Sequence, residues 1–464
     1  MHDWLAARAA EDPAGACLIV DGAKVTFAEL DDQVARAAGA LVATGLGDGA
    51  RVALWGSHDL ATVRASWSVP RAGAVLVPLN TRLTQREATQ QIGDAAVSLV
   101  LGHRDRPELG VPSIDLDVLE DGSPYRAAAP HADTPHSIVY TSGTAGRPKG
   151  VILTWANLEA SAGASAQVLE HNPRDVWLTV LPLYHIGGMS ILIRCARQGG
   201  AALLDRFDPH RAADYLLEGK ITLVSLVPTM LSRVLDIAPG PFPGLRAVLL
   251  GGGPVSESLL ARAAAGRVPV LSTYGLTEAA SQVATVPLTA ALARHRVVRP
   301  VPGMEVRIVD EGDREVSPGV GGRVQIRGTA VSPGYLHDRL RVPGAWFTTG
   351  DLGQMDANHN LQIFGRADDT IITGGENVYP AEVEAAIQEH PEVREVAVHG
   401  LGDPDWGQIV AATVVAPGVD EGDLDEFLRN RLAGYKIPIR WFFVPAITRT
   451  GLGKIDRSRL SLPD

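Results

Sequence analysis

The first half of the chain alternates between apolar residues at helical spacing and short apolar runs. The capping-box sequence Thr26-Phe27-Ala28-Glu29 predicts the start of an amphipathic helix, which Gly45 ends. A strand is predicted at 51–55, a helix at 60–72 and a second strand at 75–79. This strand–helix–strand order is typical of a parallel sheet with helices on its faces. Further strands are predicted at 99–102, 138–141, 222–227 and 246–250.

The second half of the chain changes to strict alternation. Residues 306–309 and 322–327 alternate apolar and polar side chains between glycine and proline, which predicts a small antiparallel or barrel-like subdomain. Beyond Gly365-Arg366, short strands and a helix that begins at Pro380 predict a compact α+β unit. The predicted fold class is α/β, with a large N-terminal domain of parallel-type sheets, helices and the small subdomain (1–366), and a smaller α+β C-terminal domain (367–464).

Composition and charge exclude several classes of protein. The chain has 464 residues, of which 45% are hydrophobic, so it can form more than one cored domain and is too apolar for disorder. A net charge of −11 argues against nucleic acid or an anionic membrane as the main partner. No signal peptide or membrane-spanning run is predicted, and Cys17 and Cys195 fit no disulfide framework or zinc spacing. We therefore expect a cytoplasmic protein.

Residues 140–151, Y-T-S-G-T-A-G-R-P-K-G-V, form a hydroxyl- and glycine-rich loop after an apolar run. Its glycines let the backbone turn and bring N–H groups close to an anion. Its side-chain donors and cations are Thr141, Ser142, Thr144, Arg147 and Lys149. The composition suits a phosphate cradle, although no Walker sequence is present, and the alternative is a surface turn.

Six stretches of the chain, in order, resemble the signature motifs of the adenylate-forming superfamily, which includes acyl-CoA synthetases and peptide-synthetase adenylation domains. They are residues 140–151, 273–278 (T-Y-G-L-T-E), 349–351 (T-G-D), 365–369 (G-R-A-D-D), 373–380 (T-G-G-E-N-V-Y-P) and 450–454 (T-G-L-G-K). Taken singly, these would be helix caps, turns, an exposed linker or a tail lysine. Together they cover essentially the whole chain, with one departure at Ala145, where the family usually has threonine.

The resemblance implies roles for residues at matching positions. Cofactor binding is implied for Thr141, Ser142, Gly143, Thr144, Lys149, Gly252, Tyr274, Gly275, Asp351, Arg366 and Gly375. Catalysis is implied for Lys454, Thr277, Glu278 and His185. Glu278 and Thr144 would hold Mg²⁺, which prefers oxygen ligands and bridges phosphates. Asp368 would be the hinge at which a mobile C-terminal domain turns between two closed states.

The acid substrate is indicated by residues 181–194, L-P-L-Y-H-I-G-G-M-S-I-L-I-R. By resemblance, His185 lines the meeting point of the acyl pocket and the CoA channel, and Gly251 also contacts the substrate. Arg194 lies within an apolar run, where a guanidinium needs an anionic partner. That partner is either a protein carboxylate or a second carboxylate of the substrate, unless the side chain extends its head to water.

The stretch resembles most closely the o-succinylbenzoate–CoA ligases of menaquinone biosynthesis, in which a basic residue at the Arg194 position helps to bind a dicarboxylic aromatic acid. Val298 departs from that family, which usually has glycine there. A CoA ligase for another aryl, medium-chain or dicarboxylic acid is therefore an alternative. A protein that loads a carrier, or a nucleotide binder without turnover, also remains open.

The resemblance implies ATP, Mg²⁺ and CoA as cofactor and co-substrates, and a small carboxylic acid as substrate. The acid's carboxylate would attack ATP to give an acyl-adenylate, and the CoA thiol would then attack the acyl carbon. The sequence predicts neither a nucleic-acid partner nor a membrane span. It leaves open whether the chain forms a homo-oligomer.

Overall fold

A computed structural model describes residues 3–126, 129–141, 148–291, 298–338, 340–449, 455 and 460. The described residues form eleven α-helices. Their bounds are α1 Trp4–Glu11, α2 Phe27–Ala43, α3 Leu60–Arg71, α4 Gln85–Asp94, α5 Trp155–Leu169, α6 Ile186–Gln198, α7 Pro209–Leu217, α8 Pro228–Ile237, α9 Glu257–Ala265, α10 Pro380–Ile387 and α11 Glu421–Arg429. The predicted capping box opens α2, because the Thr26 hydroxyl accepts from the Glu29 N–H at 3.2 Å and the Glu29 carboxylate accepts from the Thr26 N–H at 2.8 Å.

The same residues form twenty-five strands. They are β1 Ala16–Val20, β2 Ala23–Thr26, β3 Arg51–Trp55, β4 Val75–Pro78, β5 Leu99–Gly102, β6 Ser113–Asp115, β7 Pro135–Thr141, β8 Lys149–Thr154, β9 Val176–Thr179, β10 Ala201–Leu204, β11 Leu223–Leu226, β12 Ala247–Leu250, β13 Val270–Leu276, β14 Ser281–Thr285, β15 Arg299–Pro300, β16 Met304–Val309, β17 Gly321–Gly328, β18 Gly334–Tyr335, β19 Phe347–Met355, β20 Leu361–Arg366, β21 Ile371–Thr373, β22 Glu376–Val378, β23 Glu395–Asp403, β24 Gly407–Val415 and β25 Arg440–Phe443.

Two large sheets are parallel at their centres; both margins of the nine-stranded sheet and the β18–β8–β7 margin of the seven-stranded sheet are antiparallel, whereas β6 pairs in parallel with β5. One has nine strands in the order β15-β14-β13-β12-β11-β9-β10-β1-β2, and the other has seven in the order β18-β8-β7-β4-β3-β5-β6. The inner pairs, such as β11–β12 and β3–β4, are parallel, whereas β13–β14 and β7–β8 are antiparallel. The predicted α/β class is confirmed, and the sheets are mixed rather than purely parallel.

The predicted small subdomain is a four-stranded antiparallel sheet in the order β16-β17-β19-β20. A fourth sheet, built from β21 to β25, forms the C-terminal part of the chain with α10 and α11. The buried clusters that include Leu361 and earlier residues are separate from those that include Ile371 and later ones. The domain boundary between Arg366 and Ala367 stays a prediction.

The parallel strands direct their carboxyl ends to one edge of each sheet. In the nine-stranded sheet, β11, β12 and β13 lie side by side in parallel register. The residues that follow β12 therefore lie beside the second half of β13, where the predicted nucleotide motif begins. Among the described residues, no helix is long and apolar enough to span a membrane.

Candidate active site

The predicted phosphate loop is described at its two ends. Thr141, at the end of β7, pairs in register with Lys149, at the start of β8. Ser142, Gly143 and Thr144 lie outside the described residues, as does Lys454. The Lys149 side chain lies against an aromatic ring, with its Nζ 5.1 Å from the centre of the Tyr335 ring. The Lys149 ammonium therefore lies close to the Tyr335 ring, where the predicted loop leads into β8.

Three residues predicted from three different motifs form one hydrogen-bonded group. The Tyr274 hydroxyl donates to Asp351 Oδ2 at 2.6 Å, and Arg366 Nη1 lies 3.3 Å from Asp351 Oδ1. Asp351 is 8% exposed. Burial and the neighbouring Asp351 carboxylate raise the pKa of Tyr274 well above its ordinary value. The phenol therefore stays protonated and donates to the carboxylate.

The backbone explains why Asp351 and Arg366 meet. They are opposite each other in the antiparallel register of β19 and β20. Gly350 has a φ of +77°, and a Cβ added there would lie 2.9 Å from Arg366 Nη2. The left-handed backbone at this position favours glycine, which also leaves room for the Arg366 guanidinium. The antiparallel register therefore places the carboxylate of the T-G-D sequence beside Arg366.

The predicted catalytic pair Thr277 and Glu278 lies on a one-turn 3₁₀ helix, Thr277–Ala279, directly after β13. Glu278 Oε1 accepts a hydrogen bond of 2.8 Å from the Tyr335 hydroxyl. No described residue donates to Glu278 Oε2. Burial and the Glu278 carboxylate raise the pKa of Tyr335 above its ordinary value, so the tyrosine is the donor.

The donor set fits Mg²⁺ only as part of a nucleotide complex. Within the described ranges, no group of three or more His, Cys, Asp or Glu side chains could hold a metal ion. Mg²⁺ commonly takes one or two protein carboxylates and completes its shell with phosphates and water. Glu278, with one carboxylate oxygen free of described donors, suits such a site. Thr144, the second predicted ligand, is outside the described residues.

The predicted glycines permit close approach between neighbouring segments. A Cβ on Gly251, just after β12, would lie 2.6 Å from Thr273 Cγ2, and one on Gly275 would lie 2.1 Å from the Ser281 carbonyl oxygen. Gly252 has a φ of +79°. These positions bring the end of β12, the middle of β13 and the start of β14 together more tightly than side chains would allow. The glycines therefore allow the close packing of the backbone on either side of Tyr274.

Arg194 is buried and has no carboxylate partner among the described residues. It is 1% exposed, its Nη2 donates to Ser281 Oγ at 3.1 Å, and its guanidinium carbon lies 5.3 Å from the centre of the Trp177 ring. Within the described part of the chain, its Nε has no hydrogen-bond partner. Burial lowers its pKa to about 10, so it remains charged at neutral pH. The interpretation in which its head reaches water is wrong, because the helix places the whole side chain in the interior.

The other residues named from the sequence lie on four different segments. His185 precedes α6, and its ring lies 4.6 Å from that of Tyr184. Asp368 lies on the 3₁₀ helix Ala367–Asp369, with Oδ2 4.0 Å from Arg366 Nη2. Gly375, with a φ of +86°, lies in the turn between β21 and β22. Val298, where the resemblance departs, is 4% exposed and exchanges backbone hydrogen bonds with Leu361.

The structure adds three residues that sequence reasoning missed. Tyr335 contacts Glu278, and Ser281 and Trp177 contact Arg194. Tyr335 is 57 positions from Glu278 and Ser281 is 87 positions from Arg194. No local spacing links such distant residues, so only the fold could reveal them.

Comparison with known proteins places the chain in a family. It matches the AMP-binding enzyme family over residues 5–336 and the AMP-binding enzyme C-terminal domain over residues 382–454. It is 35% identical, over an alignment of 474 positions that covers 99% of each chain, to the 2-succinylbenzoate–CoA ligase of Listeria monocytogenes.

Solved structures of o-succinylbenzoate CoA synthetase from Bacillus subtilis share the fold. The complex with the acyl-adenylate OSB-AMP has a TM-score of 0.94 at 32% identity and covers 100% of this chain and 99% of that one. The complex with ATP and magnesium gives 0.92 at 32% identity, with 99% of each chain covered. A doubly substituted form bound to the product analogue OSB-NCoA gives 0.76 at 31% identity, with coverage of 100% and 99%. The predicted family and fold are confirmed, and the chain belongs to the AMP-binding enzymes of the adenylate-forming superfamily.

Proposed function

We propose that the protein is an ATP-dependent acid–CoA ligase that forms an acyl-adenylate and that its acid is 2-succinylbenzoate. In the first half-reaction, a carboxylate oxygen of the acid attacks the α-phosphorus of ATP, and pyrophosphate leaves. In the second, the CoA thiol loses its proton and attacks the acyl carbon, and AMP leaves. Because the acyl-adenylate forms and reacts in one site, it is protected from water.

The nucleotide would be held by groups that already contact each other. The Tyr274 ring offers a flat surface for adenine, while the Asp351 carboxylate, steadied by Tyr274 and Arg366, can accept hydrogen bonds from ribose hydroxyls. Lys149 and the loop that begins at Thr141 would bind the phosphates. These assignments rest on the geometry of the described ends of the loop and on the matching motifs.

Glu278 and Thr144 would hold Mg²⁺ together with phosphate oxygens. When bound, the ion would neutralise charge on the phosphates. Thr277 would donate to the α-phosphate, and Lys454 would stabilise the charge that develops between carboxylate and phosphorus. This mechanism needs no side-chain nucleophile.

The burial of Arg194 without a described carboxylate is the observation that favours a dicarboxylic acid. From the residues that the structure describes, this buried guanidinium receives one hydroxyl partner and none for Nε, so its charge is incompletely neutralised. A carboxylate that does not react would complete its shell with charge-assisted hydrogen bonds. His185 and Gly251, at the start of α6 and the end of β12, would line the same acid pocket. The names of full-length relatives support this substrate.

The two half-reactions would use two positions of the C-terminal domain, with Asp368 as the hinge. The relative's acyl-adenylate complex resembles this chain more closely than its product-analogue complex does. This difference supports the proposal of two domain arrangements. In the other, Lys454 would withdraw and Gly375 would approach the thiol.

The test is formation of CoA esters, measured by mass spectrometry with ATP, Mg²⁺, CoA and a panel of acids: 2-succinylbenzoate, benzoate, octanoate and malonate. We expect the succinylbenzoyl ester to dominate. Turnover of another acid would retain the two-step mechanism and contradict the substrate assignment. Adenylate formation without any CoA ester would instead favour a protein that loads a carrier.

A further inference from the structure

We propose that Tyr335 is a positioning residue that holds the Glu278 carboxylate toward the metal–nucleotide complex. This inference rests on the proposed function and concerns a residue outside every predicted motif. Its hydroxyl donates to Glu278 Oε1 at 2.8 Å, and its ring lies 5.1 Å from Lys149 Nζ. The tyrosine thus stands between the cation at the phosphate loop and the carboxylate predicted to bind the metal.

The segment that carries Tyr335 is fixed to both of these neighbours. The Ser332 N–H donates to the Glu278 carbonyl oxygen at 2.7 Å, and the Leu336 N–H donates to the Gly150 carbonyl oxygen at 2.8 Å. Between them, Gly334 and Tyr335 pair with Ile152 and Val151 of β8. The hydroxyl is therefore presented to Glu278 by a backbone that is anchored on either side.

Two further hydrogen bonds and one glycine hold this segment in place. Ser332 Oγ donates to the Ile152 carbonyl oxygen at 2.6 Å, and Gly334 has a φ of +144°. Few residues other than glycine accept that backbone geometry. Arg341 also closes over the segment, with Nη2 donating to the Val331 carbonyl oxygen at 3.1 Å. The position of the phenol does not depend on a flexible loop.

Glu278 itself has little local support. It lies on a single turn of 3₁₀ helix, and its long side chain has many rotamers. The Tyr335 hydroxyl fixes Oε1 and leaves Oε2 without a described donor. Hydrogen bonds of this kind orient metal-binding carboxylates, and their loss typically weakens metal affinity by about 10- to 100-fold. Tyrosine suits the place because its ring faces a cation while its hydroxyl binds an anion.

The experiment compares nucleotide affinity with and without metal. Isothermal titration calorimetry with a non-hydrolysable ATP analogue, in Mg²⁺ and in EDTA, gives the gain in affinity that the metal provides. In Tyr335→Phe we expect affinity in Mg²⁺ to fall about tenfold and affinity in EDTA to stay within about twofold, because the ring remains. Tyr215→Phe is the matched control, since its hydroxyl donates to the Asp205 carboxylate at 3.2 Å away from the site.

A second variant isolates the link between the two side chains. In a Glu278→Gln background, Tyr335→Phe should cause little further loss of the metal-dependent affinity, because the hydroxyl acts through the carboxylate. An unchanged metal-dependent gain in Tyr335→Phe, or full additivity with Glu278→Gln, would overturn the proposal. Absence of CoA-ester formation by the wild type would instead overturn the proposed function, and the calorimetry would still decide the role of Tyr335.

Discussion

The proposed nucleotide side and the proposed acid side of the site differ in how their charged groups are satisfied. On the nucleotide side, Asp351 contacts both Tyr274 and Arg366, and Glu278 accepts from Tyr335. On the acid side, Arg194 is buried with one hydroxyl partner and no described carboxylate. One side is assembled before any ligand binds, whereas the other leaves a charge to be neutralised.

On this account, the groups on the nucleotide side serve the reaction, and Arg194 on the acid side determines which acids bind. Groups that hold each other in place can stabilise the same chemistry for many acids, because little reorganisation is needed when the nucleotide arrives. A guanidinium that lacks a counter-ion instead favours acids that bring one. The two sides touch through Ser281, whose hydroxyl binds Arg194 and whose carbonyl packs against Gly275.

The largest expected effect comes from Lys454, which we propose stabilises the charge that develops between acid and nucleotide. We expect Lys454→Ala to slow acyl-adenylate formation by about 10²- to 10³-fold, because a group that stabilises developing charge is lost. The CoA half-reaction, started from synthetic acyl-adenylate, should change far less. Stopped-flow or quench measurements of each half separate the two. Equal losses in both halves would contradict a lysine that acts in one domain arrangement only.

A second prediction contrasts the buried Arg194, which stays charged, with the buried His136, which loses its proton. His136 is buried and neither ring nitrogen has a described hydrogen-bond partner, and burial lowers its pKa to about 3. Unlike Arg194, it is neutral at pH 7. In the unfolded chain, its pKa returns to about 6.5. As the pH falls from 7 to 5, the unfolded state gains a proton that the folded state refuses, so stability should fall by about 2 kcal/mol.

Urea unfolding at both pH values tests this prediction. In His136→Gln, the drop between pH 7 and pH 5 should be smaller than in the wild type by about that amount. His131→Gln is the control, because the His131 side chain is 79% exposed. An identical pH dependence in wild type and His136→Gln would show that His136 is not the group that titrates.

The smallest effect is expected within the assembled nucleotide side. Tyr274→Phe keeps the ring and removes the hydroxyl that binds Asp351, so the KM for ATP should rise about fivefold, as for the loss of one hydrogen bond that contributes about 1 kcal/mol. The KM for the acid should not change. ATP–pyrophosphate exchange measures both constants. A larger effect on the acid than on ATP would mean that the two sides are not separate.

Local features of the fold could be predicted from the sequence, whereas contacts between distant segments could not. The capping box of α2 and the central strands could be predicted because they follow from local rules of caps and apolar runs. The contact between Asp351 and Arg366 comes from the register of β19 and β20, which the two motifs alone do not give. The antiparallel margins formed by β14 and β18, and the contacts of Tyr335 and Arg194, depend on segments far apart in sequence. Burial of Arg194 could be predicted from its apolar neighbours, but its partners could not.

The central claim is that Arg194 awaits a second substrate carboxylate, and a two-by-two comparison tests it most directly. KM is measured for 2-succinylbenzoate and for 4-oxo-4-phenylbutanoate, which lacks the ring carboxylate, in the wild type and in Arg194→Met. Methionine keeps part of the packing volume and removes the charge. We predict that the variant raises the KM for 2-succinylbenzoate by about 30-fold or more, as for a buried charged pair that loses one partner. The KM values for ATP and the analogue should change little. An equal rise for both acids, or no rise for either, would contradict the account.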